Sequence, residues 1–195
     1  DHRDLQSAYR RQLQMFIRDS NIGGLSNGTY LDGEDIKLAS DVGPGNCLID
    51  LVAMRYFGMP YDEDGKIAAS GQIDYQLLHS LLDKIRTKGY PRADDKSYYY
   101  NLDELKSDKP ENLLATLCEL TALCISDFCH SFDTSGEILL HGGGIKNNFL
   151  MERLDKNIGS SFKLTDHLIP SKFVESAAFA YLAYLKRGLL VEPRR

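Results

Sequence analysis

The chain has 195 residues, of which 43% are hydrophobic and 26% charged, and its formal net charge is -5. These proportions are ordinary for a globular protein, and its scattered Lys and Arg residues form no basic run that would suit nucleic acid. We see no apolar run near the ~20 residues that a membrane span needs, so the sequence predicts neither a nucleic-acid nor a membrane partner.

Three short strands are predicted near the N-terminus, at residues 15–21, 27–31 and 36–40. A Gly-Gly pair separates the first two strands, and an Asp-Gly-Glu-Asp run separates the second and third. Tight turns of this kind join antiparallel neighbours, so the three strands are expected to form a meander.

Helices and strands alternate over the rest of the chain. The predicted helices are 47–57, which ends at Gly58, then 73–88, 110 to about 130, 147–157 and 173–186, and the predicted strands are 137–141 and 161–165. A βββαβαβα order of this kind suits a mixed sheet with helices on both faces. It is the order of the ribonuclease-H-like lobe that the actin, hexokinase and Hsp70 superfamily uses twice, so an α/β lobe of this class is predicted.

The four cysteines are Cys47, Cys118, Cys124 and Cys129, and no two of them form a C-x-x-C pair. Reduced thiols of a cytoplasmic protein are therefore favoured over disulfides or metal ligands. The histidines also lack metal-binding spacing, so no metal site is predicted.

The first glycine turn, Gly23-Gly24, lies between the first two predicted strands. Its bare backbone amides could approach a phosphate oxygen, and Asn27 could add a hydrogen bond. The alternative is an ordinary hairpin turn without a ligand.

A second glycine turn, Gly142-Gly143-Gly144, ends a predicted strand just before the helix that begins near Asn147. Ligands of α/β sheets bind at such strand ends. The run matches neither the Walker pattern nor G-x-G-x-x-G. Backbone groups, and not a P-loop lysine, would then hold a phosphate.

A third turn, DVGPGNCLID, joins the third strand to the first helix. Gly43 and Gly45 permit close approaches there, Asn46 could cap the helix, and Asp41 could face a polar ligand. The alternative is that this corner is only a structural helix cap.

Six segments together resemble one family, the anhydro-N-acetylmuramic acid kinases, which are actin-like sugar kinases of bacteria. They are NIGGLSN, DVGPGNCLID, GMPYDEDGKIAASG, ATLCELTA, HGGGIKNNFLMERL and ESAAFAYLA, and the resemblance runs from about Asn21 to Leu185. Members of the family phosphorylate 1,6-anhydro-N-acetylmuramic acid with ATP, giving N-acetylmuramic acid 6-phosphate during cell-wall recycling. The resemblance therefore implies ATP as cosubstrate, with Mg²⁺ entering on the nucleotide.

The resemblance also implies roles for matching positions. Phosphate is expected at Gly23 and Gly24; adenosine at Gly142, Gly143, Gly144 and Asn147; and the substrate cleft at Asp41, Gly43, Gly45, Asn46 and Glu175. For Glu175, which opens the last predicted helix, stabilisation of the helix dipole is an equal alternative.

Two family motifs, G-T-S-x-D-G and D-F-R, are missing, and the family's K-S-T-G-R-E segment reads KSYYYN at 96–101. No aspartate of this sequence matches the catalytic one. We therefore expect residues 1–14 to be the remnant of an interdomain segment. Residues 15–195 are expected to form a C-terminal nucleotide-binding lobe with a helical insertion around 72–110.

Such a lobe is expected to be inactive without its N-terminal partner lobe, and its exposed interface could instead support a homodimer. Two alternatives stay open. One is a degenerate, non-enzymatic lobe that binds a nucleotide or a partner, and the other is a lobe of another actin-like sugar kinase with a different acceptor.

Overall fold

The computed structural model describes residues 16–33, 35–100, 105–132 and 136–165, together with Pro170 and Phe173. Within these ranges the strands are β1 (Phe16–Ile22), β2 (Ser26–Asp32), β3 (Asp35–Gly43), β4 (Glu137–His141) and β5 (Lys163–Leu164). The helices are α1 (Cys47–Val52), α2 (Lys66–Ser70), α3 (Tyr75–Arg86), α4 (Lys96–Tyr100), α5 (Pro110–His130) and α6 (Asn148–Ile158). Short 3-10 helices lie at Glu63–Gly65 and Gly143–Lys146.

The strands form one mixed sheet in the order β3-β2-β1-β4-β5. The first three pair antiparallel, which confirms the predicted meander, whereas β4 lies parallel to both β1 and β5. Asn21 of β1 is in register with His141 of β4. The carboxyl ends of these two strands therefore meet at the same edge of the sheet, which is where a ligand crevice is expected.

Helix α5 forms the centre of the core. It begins at Pro110, as predicted, because proline suits the first helical position. The helix lies so close to the sheet that a β-carbon at Gly28 would be 2.4 Å from Cε1 of Phe128, and one at Gly43 would be 2.8 Å from Cβ of Cys124. Glycine at these two strand positions thus allows helix and sheet to meet.

By length and composition, α5 could cross a membrane. Our prediction that the sequence contains no apolar run long enough for a membrane span was therefore wrong. Most of the helix is nevertheless buried inside the fold, on all sides and not along one stripe. An all-round apolar helix of this kind is also what the centre of a protein core requires.

The predicted insertion contains α3 and α4. Asp74 caps α3 by accepting hydrogen bonds from the backbone amides of Gln76 and Leu77, each at 3.0 Å. The segment after α3 returns to the sheet, where the amide of Arg92 donates to Ser40 Oγ at 2.9 Å. The division at residues 14 and 15 and the insertion boundaries remain predictions.

The helix predicted over 47–57 is present, but its second half is neither α-helical nor fully buried, although apolar residues on nearly every face of this run predict a buried helix. The α-helix ends at Val52 and continues as a π-helical segment, Ala53–Phe57, with Met54 and Phe57 exposed. Apolar residues on every face predict burial only if neighbours cover every face, and in the second half the core covers Ala53 and part of Tyr56 but leaves Met54 and Phe57 exposed. Gly58 does end the segment in a left-handed conformation, as predicted. Of the helix predicted at 173–186, only Phe173 is among the described residues.

Candidate functional site

The β1–β2 hairpin turn is bonded directly to the corner between β3 and α1. The carbonyl oxygens of Gly23 and Gly24 accept hydrogen bonds from the amides of Asn46 and Cys47, both at 2.9 Å. Two of the amides at the start of α1 are therefore used by the hairpin, and the two predicted glycine sites form one unit.

Close packing explains the glycine at the centre of this corner. Gly45 has a φ of 54°, and a β-carbon there would lie 2.5 Å from the carbonyl oxygen of Gly23. The hydroxyl of Thr121, on α5, donates to the carbonyl oxygen of Gly45 at 2.8 Å. The corner is thus fixed from both sides.

Asn46 does not act as the predicted side-chain cap. It occupies the N-cap position of α1 but makes no capping hydrogen bond, and its Nδ2 instead donates to the carbonyl oxygen of Ile22 at 3.3 Å. The reason is its helical backbone conformation, since capping residues adopt extended angles. Asn46 therefore ties the corner to the end of β1.

The second glycine turn contacts the same strand end. Gly142 has a φ of 96°, and a β-carbon there would lie 2.4 Å from Asn21 Oδ1. A β-carbon at Gly144 would lie 2.3 Å from Cγ2 of Ile22, whereas one at Gly143 would meet nothing within 4 Å. Gly142 and Gly144 are thus packed against β1, and only Gly143 is open.

Asn147 follows this turn and caps α6. Its Oδ1 accepts from the amide of Leu150 at 3.0 Å, and its Nδ2 lies 3.7 Å from the sulfur of Cys118. The side chain that we predicted to contact adenosine is therefore largely committed to the fold.

A cleft of about 400 Å³ opens beside this turn. Three groups of residues line it: the start of α1, the second glycine turn and a loop before α2. They are Asn46, Ile49 and Asp50; Gly143, Gly144, Lys146 and Asn147; and Tyr61, Asp62, Glu63 and Asp64.

Sequence reasoning did not predict that the loop Tyr61–Asp64 belongs to the site. Asp62 is 4% exposed, and its carboxylate accepts from the amides of Ile67 and Ala68, each at 2.9 Å. Asp64 has a φ of 58°, which non-glycine residues seldom adopt. A carboxylate residue with a strained backbone at the rim of a cleft is typical of a functional loop.

This loop is also fitted to the end of the second glycine turn. A β-carbon at Gly65 would lie 2.1 Å from Asn147 Oδ1, so the loop and the cap of α6 touch. The D-x-D-G pattern of the sequence was the available signal, because it places a carboxylate and a glycine at a helix start.

Two charged groups flank the α1 side of the cleft. Burial raises the pKa of Asp50 to about 6, and the positive charge of Lys96 opposes that rise. At the rim of the cleft, Asp64 pairs with the exposed Lys66 at 2.9 Å. The remaining carboxylates give this pocket an acidic lining, with Lys146 as a cation beside the glycine turn.

The cysteines add no reactive group. All four are buried free thiols, as predicted, and burial raises the pKa of Cys47 to about 12. Thiols of this kind are poor nucleophiles. Among the described residues, no group of three or more His, Cys, Asp or Glu could hold a metal ion.

Asp41 and Asn27 lie apart from the residues that line the cleft. The carboxylate of Asp41 accepts from Nδ2 of Asn27 and from the amide of Asp94, so it connects β2 and β3 with the insertion. Gly43 packs under Cys124. Ligand contacts at these three residues remain predictions, and Glu175 lies outside the described residues.

Comparison with known proteins gives one family. The sequence profile described as anhydro-N-acetylmuramic acid kinase matches residues 7–190. The anhydro-N-acetylmuramic acid kinase of Aliivibrio fischeri is 36% identical over 175 residues, which cover 84% of this chain and 47% of that protein. That of Pseudomonas savastanoi pv. phaseolicola is 36% identical over 178 residues, covering 84% and 48%. The chain spans about half the length of the curated relatives it matches.

A likeness to a solved structure bears on the fold alone. Component A of the (R)-2-hydroxyglutaryl-CoA dehydratase of Acidaminococcus fermentans superposes with a TM-score of 0.52 at 12% identity, over 92% of this chain and 65% of that chain. Together with the strand order, it confirms the predicted class, an α/β lobe of the actin-like, ribonuclease-H-like type.

Proposed function

This chain belongs to the anhydro-N-acetylmuramic acid kinase family, and from that premise we propose that it is the C-terminal, nucleotide-binding lobe of such a kinase. Completed by an N-terminal lobe, it would transfer phosphate from ATP to 1,6-anhydro-N-acetylmuramic acid. The product would be N-acetylmuramic acid 6-phosphate, formed in the cytoplasm during cell-wall recycling. The reduced thiols are in keeping with that compartment.

The open backbone at Gly143 is the observation that carries the nucleotide assignment. It lines a cleft at the carboxyl ends of parallel strands, and nothing would meet a β-carbon there within 4 Å. The cleft volume of about 400 Å³ falls in the range of small-molecule sites, ~300–1,000 Å³. A nucleoside would fit between this turn and the loop Tyr61–Asp64.

The lining groups suit a nucleoside chemically. Tyr61 is 56% exposed, so its ring is free to stack on a base. Carboxylates accept hydrogen bonds, and those of Glu63 and Asp64 could receive them from ribose hydroxyls. Phosphates would then extend toward the Gly23–Gly24 turn, which is bonded to the α1 side of the cleft.

The described residues do not fit a resident magnesium site. They contain no cluster of three ligand groups, and both carboxylate oxygens of Asp62 are already used by α2. A magnesium ion would therefore arrive bound to the nucleotide phosphates, which is its usual manner of entry.

Phosphoryl transfer needs groups aligned on both sides of the reacting phosphate, together with a general base for the attacking water. Among the described residues, we assign none to that base. We propose that it belongs to the N-terminal half that the longer relatives possess, so this chain alone would bind nucleotide without turnover.

The test combines binding and activity. Calorimetry should show weak ADP binding by the chain, and mass spectrometry should show no ATP-dependent muramic acid 6-phosphate until an N-terminal half is added. The N-terminal half of the Aliivibrio fischeri relative is a suitable partner. Absence of heat and of NMR shift changes with millimolar ADP would refute nucleotide binding, and multiple turnover by the chain alone would refute the missing base.

A non-enzymatic lobe is the second candidate, and exposed apolar residues favour it. Met54, Phe57 and Met59 lie in and after the π-helical segment with exposed fractions of 53%, 37% and 36%. Such a patch suits a protein partner, either another lobe or a second copy of this chain. Analytical ultracentrifugation of the chain, with and without the N-terminal half, would separate a homodimer from a two-lobe complex.

A further inference from the structure

We propose that Lys96 is a phosphate-positioning residue, whose ammonium group binds the phosphate chain of the nucleotide at the Gly23–Gly24 turn. This inference rests on the proposed nucleotide function and assigns a side chain to the phosphate end of the site. The sequence analysis predicted that backbone amides, with a hydrogen bond from Asn27, would hold the phosphate in place of a P-loop lysine.

The position of the ammonium group explains the glycine at position 24. A β-carbon at Gly24 would lie 2.5 Å from Nζ of Lys96 and 2.8 Å from Cε. The nearest atom to a β-carbon at Gly23 is instead the carbonyl oxygen of Leu25, at 3.2 Å. Gly24 therefore leaves the space into which the end of the lysine extends.

The residues around Lys96 hold it in place from the insertion. It begins α4, and Asp95 just before it accepts from the amide of Ser97 at 2.7 Å. Tyr99 of the same helix is 1% exposed, and its hydroxyl donates to Asp94 at 2.6 Å. The backbone from which the lysine extends is thus anchored in the fold.

The ammonium group has no partner among the described residues. Lys88 and Arg92 both pair with Asp94, at 3.3 Å and 3.0 Å, and Lys66 pairs with Asp64, but no carboxylate of the described residues lies within 4.0 Å of Lys96 Nζ. In the described part of the chain, Lys96 Nζ donates no hydrogen bond either. An unpaired cation at a bare glycine turn is suited to an anion.

Lys96 also lies next to the cleft. Its charge acts on Asp50 and Cys47, both in α1, and the amide of Cys47 donates to the carbonyl oxygen of Gly24. The hairpin, the ammonium group and the α1 wall of the cleft are therefore neighbours.

The charges of the cleft fix the direction of a bound nucleotide. Its wall carries the carboxylates of Asp50 and Glu63, which would repel a polyphosphate but not a neutral nucleoside, whereas Asp64 is paired with Lys66. The phosphates are therefore expected outside the acidic wall, at Lys96. The competing orientation places them at Lys146, beside the second glycine turn.

Titration of ADP and adenosine into Lys96→Met separates the two orientations. Loss of the ammonium should weaken ADP at least tenfold while adenosine, which has no phosphate, binds as to the wild type. Lys96→Arg should restore most of the ADP affinity. Lys156→Met, an exposed position on α6 away from the cleft lining, is the control and should change neither ligand.

Gly24→Ala tests the same contact without removing the charge. The new methyl would push the flexible end of Lys96 away, so ADP should weaken several-fold in the wild-type background and little further in Lys96→Met. Non-additivity of this kind identifies a shared mechanism. Circular dichroism would check that each variant folds.

Three outcomes are decisive. Unchanged ADP affinity in Lys96→Met, or a loss confined to Lys146→Met, overturns the role of Lys96 and leaves the nucleotide site standing. An equal loss of ADP and adenosine in Lys96→Met shows a structural effect and also overturns it. A wild-type chain that binds neither ligand refutes the proposed nucleotide function and this inference together.

Discussion

Separate substitutions of Gly143 and Gly144 should distinguish a ligand contact from a packing contact within one turn. A β-carbon at Gly144 would lie 2.3 Å from Cγ2 and 2.9 Å from Cβ of Ile22, a residue that is 0% exposed. A β-carbon at Gly143 would meet nothing within 4 Å. The same chemical change therefore enters a filled core at one position and an open cleft at the next.

The expected magnitudes follow from these distances. Overpacking a well-filled core costs about 1–3 kcal/mol, and each kcal/mol shifts Tm by about 2–4 °C in a chain of this size. Gly144→Ala should therefore lower Tm by about 2–12 °C. Gly143→Ala adds no clash and restricts the unfolded chain, so its Tm should stay level or rise slightly.

The assay pairs a thermal melt with an ADP titration. Gly143→Val should melt close to the wild type but bind ADP at least tenfold more weakly, because its branched side chain would fill the approach to the turn. Wild-type ADP affinity in Gly143→Val would show that no nucleotide approaches this turn. An unchanged melting temperature in Gly144→Ala would show that the turn does not pack on Ile22 as described.

Three further predictions concern charged groups. Asp62→Ala should destabilise the fold by about 1–3 kcal/mol in urea unfolding, because two helix amides lose their acceptor, while Asp62→Asn keeps part of the cap and should lose less. Glu119→Ala should cost about 3–5 kcal/mol in the same assay, since Arg153 and Asn157 lose a buried partner, and a value near zero would contradict the buried pair. Burial raises the pKa of Asp50 to about 6 from 3.8, so the native state holds this proton more tightly than the unfolded state. The stabilisation from this bound proton is complete below about pH 4 and is lost as the pH rises through about 6, so Asp50→Asn should flatten the Tm between about pH 4 and 6.

The strands and the central helix were predictable because local signals determined them. The Gly-Gly turn between two short runs marked β1 and β2, and Pro110 marked the start of α5. The strand Glu137–His141 was predicted with its observed ends, since three glycines follow it. The ends of these strands and the start of this helix depend on residues that are adjacent in the sequence, so the sequence alone can predict them.

The composition of the cleft was only partly predictable. Gly143, Gly144 and Asn147 were named from their pattern, but the loop Tyr61–Asp64 and the lysine at position 96 were not assigned to the site. Their roles depend on contacts between distant segments, such as Gly65 against Asn147 and Gly24 against Lys96. A short sequence motif does not show which distant segments contact it in the folded chain.

Asn46 lies at the predicted N-cap position of α1, but the capping role predicted for its side chain was wrong. Its place before α1 suggested a cap, but its helical backbone conformation goes with no hydrogen bond between its side chain and the amides of Leu48 or Ile49. The side chain was therefore free to bind the carbonyl oxygen of Ile22. Which partner an asparagine binds therefore depends on its backbone conformation as well as on its place in the sequence.

The commitment of polar side chains to the fold decides which substitutions can identify a ligand contact. Asn147 supplies the acceptor for the amide of Leu150, so its loss would weaken α6 whether or not a nucleotide touches it. The same holds for Asp62 and the amides of α2. Reduced ADP binding in either variant would therefore follow from a displaced wall of the cleft as readily as from a lost contact. A β-carbon at Gly143 would contact no part of the fold. If a Gly143 variant binds ADP more weakly at an unchanged melting temperature, the substitution therefore acts on the ligand and not on the fold.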